Sequence, residues 1–392
     1  MEFDNIKGAR RVITVLQFIG LWRLNSPWQS FYAAYSYVLH LSFTFSYTVM
    51  MWVDVVQASD LEKFTYIMYM SLTELALLAK VANVWINSKL FVNFFHTLAN
   101  DELFRLRTDG ERHLWSRIHG YYRWIAFMYF AMSITLVTIA FIGVLFSKDY
   151  ELPFPYAPPF EWRNPHGYWY AYFYELLAMP LTCFSNCGLD MIQCYMLLHL
   201  SLCYKMIGGR LVEMGKQKQK LHQLSEFNET RFLEEFVGIA KLHDKMKKLS
   251  ADCETFVSFP FLIQIMCSSF VLCFSAYRLQ KVSIFENPSQ FCTLILAVIV
   301  MILQIFVPCY CGNEIILSTG ALNNAIYNAE WVQCSPKVCK YLIIYMEMLQ
   351  QPVKVRAGKF FEIGLPLFVK TMNNTYSLLA LLLNMNKKNY DN

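Results

Sequence analysis

Four stretches of this chain run beyond 20 residues without one charged side chain, and they dictate the solvent in which it folds. They are Leu24–Val53, Trp124–Ser147, Thr255–Tyr277 and Asn287–Asn313. A helix rises about 1.5 Å per residue, so roughly 20 residues cover the about 30 Å hydrocarbon core of a bilayer. Three weaker stretches join them: Phe64–Ile86, interrupted by Glu74 and Lys80; Trp169–Tyr204, interrupted by Glu175 and Asp190; and Phe360–Met385, interrupted by Glu362 and Lys370. The predicted fold class is an all-α membrane protein with seven transmembrane helices. Composition agrees: 56% of residues are apolar and 16% charged, against about 25% charged in an average soluble domain. Val12–Trp22 is apolar but short and lacks a small-residue cleavage site. It reads as an interfacial segment leading into the first span, not as a signal peptide.

Seven spans put the termini on opposite sides, and the basic residues say which is which. Lys7, Arg10, Arg11 and Arg23 precede span 1; Lys89, Arg105, Arg107, Arg112 and Arg117 lie between spans 2 and 3. Nine basic residues from Arg210 to Lys248 lie between spans 4 and 5, and Lys337, Lys340, Lys354, Arg356 and Lys359 between spans 6 and 7. The opposite side has fewer, among them Lys63, Lys148, Arg163, Lys281, Lys387 and Lys388. Because basic residues near span ends stay in the cytoplasm, the amino terminus is expected inside and the carboxyl terminus outside. A G-protein-coupled receptor would be the other way up. The net charge of +5 reflects those loops and predicts no nucleic-acid surface.

The basic segments are patterned as helices. Phe232, Phe236, Ile239, His243, Met246, Leu249 and Cys253 recur at helical spacing, and no breaker intervenes before Pro260, so span 5 is predicted to begin deep in the cytoplasm. Span 4 runs past Lys205 toward Arg210, and span 6 continues through Ile315, Ala321, Ile326 and Trp331. Lys337–Leu349 forms a short amphipathic helix before Gln351-Pro352, and an apolar helix follows from about Phe360. Helices that leave a membrane with an apolar stripe need partners: each other, or further subunits. Four pieces on one face favour an assembly region. The chain divides into 1–205 (amino-terminal segment and spans 1–4), 206–254 (a cytoplasmic helical anchor), 255–318 (spans 5 and 6), 319–359 (the inner end of span 6 and the first half of a split span 7) and 360–392 (the second half of span 7 and the carboxyl terminus); the resemblance drawn below implies most of a ligand pocket in the first and a pore-lining role for the last. No internal repeat is visible, which counts against a transporter with inverted halves.

Catalytic signatures are missing. There is no Gly-Lys-Ser/Thr loop, no Gly-x-Ser-x-Gly and no His-Glu-x-x-His, so no enzyme activity and no cofactor are predicted. The twelve cysteines lie in apolar spans or cytoplasmic segments and read as small hydrophobes. Cys309 and Cys311 lack a nearby His pair, and no metal site is predicted. Asn228-Glu229-Thr230 and Asn373-Asn374-Thr375 match glycosylation sequons, one in a loop expected inside and one within a span. Glu74, Lys80, Glu175 and Asp190 are the intramembrane charges: paired within the bundle, with Lys80 alternatively snorkelling to the inner face, or lining a substrate path. Spans 2 to 4 are rich in aromatics, among them Tyr66, Tyr69, Tyr129, Phe130, Phe141, Tyr172 and Tyr174. These suit an interfacial belt with core packing or an apolar pocket for a small hydrophobic ligand.

The carboxyl-terminal residues Cys309-Tyr310-Cys311-Gly312-Asn313-Glu314, Ala325-Ile326-Tyr327, Trp331, Gln351-Pro352, Ala357-Gly358 and Thr375-Tyr376-Ser377-Leu378-Leu379-Ala380-Leu381-Leu382 form a succession that resembles the insect odorant receptor family. Length, span number and orientation resemble it over the whole chain. The related gustatory receptors close their last helix with Gln-Phe, whereas Asn384-Met385 stands here. The compact loop between spans 4 and 5 resembles the odorant-tuned, variable subunit and not the co-receptor, which carries a long insertion there. The resemblance implies a heterotetrameric, ligand-gated cation channel formed with the co-receptor in the plasma membrane of a sensory dendrite. It implies contacts through the cytoplasmic helices and a last helix lining the pore, with a hydrophobic gate at Leu379 and Leu382 one turn on, where the co-receptor is polar. It also implies an odorant pocket in the outer half of the bundle, mapped onto Tyr69, Leu72, Thr73, Thr138, Phe141, Leu145, Tyr174, Ala178, Ile295, Val298 and Ile299. The ligand implied is a small hydrophobic volatile of aromatic or heteroaromatic character. The alternatives are a metabotropic seven-span chemoreceptor, or a transporter or intramembrane enzyme.

Overall fold

The computed structural model describes residues 6–22, 27–146, 150–223, 229–282, 285, 288–329 and 334–391. Arg23, Leu24, Ser147, Lys148, Asn228, Asn287 and Trp331, which figure in the sequence reading, lie outside the described residues.

The chain is a helical bundle. A short helix α1 (Arg10–Phe18) precedes the first span, which is α2 (Gln29–Leu39), one π-helical turn (His40–Phe45) and α3 (Ser46–Val56). His40 occupies the π turn and ties it down: its ring bonds the Thr44 hydroxyl at 3.0 Å and the Ile19 carbonyl at 2.9 Å. Helix α4 (Leu61–Ile86) starts at Asp60, whose carboxylate accepts from the Lys63 N–H at 2.6 Å. Helix α5 (Ser88–Asn100) buries Phe91, Phe94, Phe95 and Leu98 along one face. Helix α6 (Asp109–Val144) opens with a capping arrangement in the segment Thr108-Asp109-Gly110-Glu111. Thr108 Oγ1 accepts from Glu111 N, and Glu111 Oε2 reaches back to accept from Arg107 N.

Three very long helices follow: α7 (Pro165–Gln223), α8 (Glu229–Leu279) and α9 (Pro288–Tyr327). Each carries an internal proline, Pro180, Pro260 and Pro308 respectively. Each continues past its apolar span as the sequence pattern predicts. The final elements are α10 (Pro336–Met348), a small hairpin of β1 (Arg356–Ala357) and β2 (Phe361–Glu362), and α11 (Leu365–Asp391). Among the described residues five helical stretches are long and apolar enough to cross a membrane: 29–56, 63–86, α6, α8 and α9. Helices α7 and α11, which carry more polar residues, complete the bundle.

The hairpin is absent from the sequence expectations, because two-residue strands carry no readable alternation. Its antiparallel register pairs Arg356 with Glu362 and Ala357 with Phe361. The turn needs Gly358, with φ +59° and its N–H donating to the Ser258 carbonyl of α8. On the other side Ile363 presses its backbone against Gly312 of α9; a Cβ there would lie 2.3 Å from the Ile363 oxygen. The root of α11 is thus held between α8 and α9.

The apolar core has two regions. One runs through the end where α7, α8, α9 and α10 converge, joining Leu211, Phe232, Phe236, Met246, Leu322 and Leu342 with the α5 aromatics. Here Arg210 donates to Glu111 through Nε at 2.6 Å and Nη2 at 3.2 Å. Lys205 pairs with Glu314 and Lys245 with Asp101. The second region, at the opposite end, gathers Tyr47, Met70, Phe141, Phe154, Tyr172, Ala178 and Val271.

Candidate ligand-binding site

Between α4, α6, α7, α8 and α9 lies a cavity of about 70 Å³, several times the space one water needs. Helix α4 contributes Tyr69, Met70, Thr73, Glu74 and Leu77; α6 contributes Tyr129, Ser133, Leu136 and Val137. Helix α7 adds Met179, Thr182, Cys183, Asn186 and Cys187, α8 adds Val271 and Ser275, and α9 adds Thr293, Ala297, Val300 and Met301. The i, i+4 spacings Thr73–Leu77, Ser133–Val137, Val271–Ser275 and Thr293–Ala297 each bring two side chains to one helical face.

The roof is Phe154, from the connection between α6 and α7. It is fixed by its backbone N–H, which donates to Glu175 Oε1 at 2.7 Å, and the Tyr47 hydroxyl donates to the same oxygen at 3.4 Å. Glu175 is therefore a structural acceptor buried beneath that connection. The Tyr156 hydroxyl, donating to Ala171 O at 2.8 Å, anchors the same segment.

The floor is an ionic network. Lys80 Nζ donates to Asn186 Oδ1 at 2.7 Å and forms a short ion pair with Asp190. Asp190 also accepts from the Tyr129 hydroxyl at 3.2 Å and from Gln304 Nε2 at 2.7 Å. Lys80 and Asp190 are 1% and 2% exposed, so Lys80 does not snorkel toward an interface. Of the alternatives open for these charges, internal pairing describes Lys80 and Asp190. Tyr129 and Asn186 belong to both the network and the cavity wall, so the wall residues are rigidly positioned.

Most hydroxyls around the cavity are already used as donors. Thr73 bonds Tyr69 O, Ser133 bonds Tyr129 O and Thr293 bonds Ser289 O, each at 2.9 Å. Thr182 donates to Met179 O at 3.1 Å. The chamber is consequently apolar with a few acceptor lone pairs, suited to a small, mostly hydrophobic molecule.

Of the sequence-predicted residues, Tyr69 and Thr73 line this cavity. Leu72, Phe141 and Ala178 are buried in the second core region, with the Phe141 ring 6.2 Å from that of Phe154. Tyr174 lies on another face of α7, stacked on Phe43 at 5.8 Å and hydrogen-bonded to Ser46 at 2.7 Å. Ile295 and Val298 are half-buried, while Thr138, Leu145 and Ile299 point outward. The reason is rotational: with Val137 facing the cavity, Thr138 sits about 100° further round the helix. Leu379 and Leu382 lie half-buried on α11, whose exposed stripe carries Asn373, Tyr376, Ser377 and Leu381. The sequence reading missed the α8 wall, Val271 and Ser275, because it assigned span 5 no part in the pocket.

Helices long and apolar enough to cross a membrane, extended at one end of the bundle and hollowed at the other, define a helical membrane protein with an internal pocket. Known proteins agree. Residues 60–376 match the family described as 7tm Odorant receptor. Odorant receptor 94a of Drosophila melanogaster is 40% identical over 389 residues, covering 97% of this chain and 98% of the relative. Odorant receptor 46a, isoform A, of the same species is 25% identical over 78% of both chains. The insect olfactory receptor OR5 of Machilis hrabei, solved in complex with eugenol, superposes with a TM-score of 0.86 over 97% of this chain and 98% of that one, at 16% identity. A second structure of the same receptor gives 0.83. The chain belongs to the insect odorant receptor family, with the all-α, seven-transmembrane fold of that family; it is a receptor and not an enzyme.

Proposed function

We propose that this chain is the odorant-binding, variable subunit of a ligand-gated, non-selective cation channel, working in a heterotetramer with a co-receptor. The observation that carries the reading is the apolar cavity among α4, α6, α7, α8 and α9, in a chain of a receptor family whose more basic connections are expected on one side of the membrane. By the positive-inside rule that side is cytoplasmic, so the amino terminus is inside and the carboxyl terminus outside. The chain then sits in the plasma membrane of a sensory dendrite, with the cavity in the outer half of the bundle.

Assembly through the inner helices is supported by an uncovered apolar face on α10, where Tyr341, Ile344 and Met348 recur at i, i+3 and i+7 and are exposed. Helix α11 carries the gate, with Leu379 and Leu382 as its hydrophobic positions, closing the pore by dewetting. Its root lies against α8 and α9, both of which wall the cavity. A ligand that fits the cavity better in one arrangement of those helices shifts the population toward it, and only that difference in affinity gates the channel. The metabotropic alternative requires the opposite orientation and is not favoured by the charge distribution.

Expressed in oocytes with a co-receptor, the chain should give inward cation current on odorant delivery that persists under G-protein blockade. Current lost on that blockade, or an amino-terminal epitope reachable from outside intact cells, would overturn the reading.

A further inference from the structure

Among the described residues lining the cavity, two fully buried side-chain oxygens have no hydrogen-bond partner: Glu74 Oε2 and Ser275 Oγ. Glu74 is 4% exposed and Ser275 fully buried. A buried acceptor without a donor costs on the order of the whole desolvation penalty of the group, and native interiors rarely leave two in one chamber. The neighbouring groups do not serve them. The only lysine of the floor, Lys80, is committed to Asp190 and Asn186. Thr182 lies against the Glu74 carboxyl but has one proton, shared with its own helix. The hydroxyls of Thr73, Ser133 and Thr293 all donate to backbone carbonyls.

Resting on the reading of this cavity as the ligand site, we propose that its ligand is a small hydroxyl-bearing volatile, an alcohol or phenol, and that Glu74 is the residue that selects it. The ligand O–H donates to Glu74 Oε2, and Ser275 donates to the ligand oxygen, so both orphans are satisfied by one functional group. The remaining wall, from Met70, Leu77, Val137, Ala297 and Val300, takes the hydrocarbon body. An ammonium ligand is disfavoured, since it would bring a second cation to a floor that already holds Lys80 and would be stripped of its hydration to enter an apolar chamber. An ether or hydrocarbon of the same shape fits the walls but leaves the carboxyl unpaired.

The test uses 4-methylphenol against its methyl ether, 4-methylanisole, with benzylamine as the cationic arm. Two readouts are taken on the chain assembled with a co-receptor: half-maximal concentration for current, and protection of the purified complex from thermal unfolding. A hydrogen bond to a charged or carboxyl acceptor predicts that the phenol exceeds the ether by about 10- to 100-fold. Glu74→Leu abolishes the ratio, Glu74→Gln narrows it, and Ser275→Ala weakens both probes while preserving it, because both carry an oxygen that can accept. Should Glu74→Leu fail to reach the surface, Glu74→Gln carries the comparison. Equal responses of the wild type to phenol and ether, a ratio unchanged in the Glu74 variants, or a preference for benzylamine would each overturn the assignment. Selective protection by the phenol without current leaves the assignment standing and refutes the channel reading. Protection by none of the probes overturns the cavity as a ligand site, and the hydroxyl assignment with it.

Discussion

Removing one member of the Lys80–Asp190 pair should expose how the cavity floor is stabilised, and the two members should not be equivalent. Asp190→Leu leaves the Lys80 ammonium, 1% exposed, with Asn186 as its remaining partner. Breaking a buried pair in this way costs about 3–5 kcal/mol. Lys80→Met is milder, because Asp190 keeps two donors, the Tyr129 hydroxyl at 3.2 Å and Gln304 Nε2 at 2.7 Å. A full hydrogen-bonding shell offsets part of the cost of an isolated carboxylate. The double variant removes both charges and should lose less stability than the sum of the two single losses, by a coupling of about 1–3 kcal/mol. The assay is the midpoint of thermal unfolding in detergent, followed by size-exclusion fluorescence. At about 2.1 cal/mol/K per residue of unfolding entropy, the Asp190→Leu loss corresponds to about 4–6 °C for a chain of 392 residues. Equal losses for the two single variants, or strict additivity in the double, would refute the claim that this is a coupled pair with an asymmetric shell.

Leu379→Trp should lower the maximal odorant-evoked current while leaving half-maximal concentration unchanged; an unaltered maximum removes Leu379 from the gate. Gly312→Ala should destabilise the protein by about 1–3 kcal/mol, since the added Cβ would sit 2.3 Å from the Ile363 oxygen. A wild-type unfolding midpoint would mean that the hairpin yields freely. His243, on the α8 segment outside the membrane, has its pKa pushed down to about 4 by burial and by Lys247 nearby. Its folded value lies below the unfolded one, so its neutral form contributes stability that is present above about pH 6.5 and lost as pH falls toward about 4. The unfolding midpoint should therefore drop between pH 7 and pH 5, and His243→Phe should flatten that drop; an unchanged slope would show that other groups carry it.

The helices were readable because their physical cause is local. Uncharged runs such as Thr255–Tyr277 need nothing but lipid, and the period of Phe232, Phe236, Ile239 and His243 declares the extension of α8 beyond it. The site was less readable because its cause is rotational. Sequence sets how deep Thr138 and Leu145 lie but not which way they face, and one residue of error carries a side chain from wall to lipid. Glu74, Lys80 and Asp190 stand out as costly residues in any apolar run, yet only the folded chain pairs two of them and leaves the third facing the cavity. Ser275, a common residue in an apolar helix, offers no signal until its neighbours are known. Gly312 and Gly358 could be quoted as motif residues, but their requirement for close approach belongs to the contact between α9, the hairpin and α8.

The continuity of α7, α8 and α9 sets a rule for how such a chain can vary. Each added or deleted residue rotates everything beyond it by about 100°. An insertion in α8 between Ser275 and His243 would preserve the helix yet turn the cavity wall away from the chamber, or the buried anchor stripe away from its core. Substitution can retune one face residue by residue, whereas changes of length are confined to the connections between helices. Related receptors should accordingly keep a constant residue count between chamber and anchor on all three helices, even where almost every side chain of the chamber has been replaced.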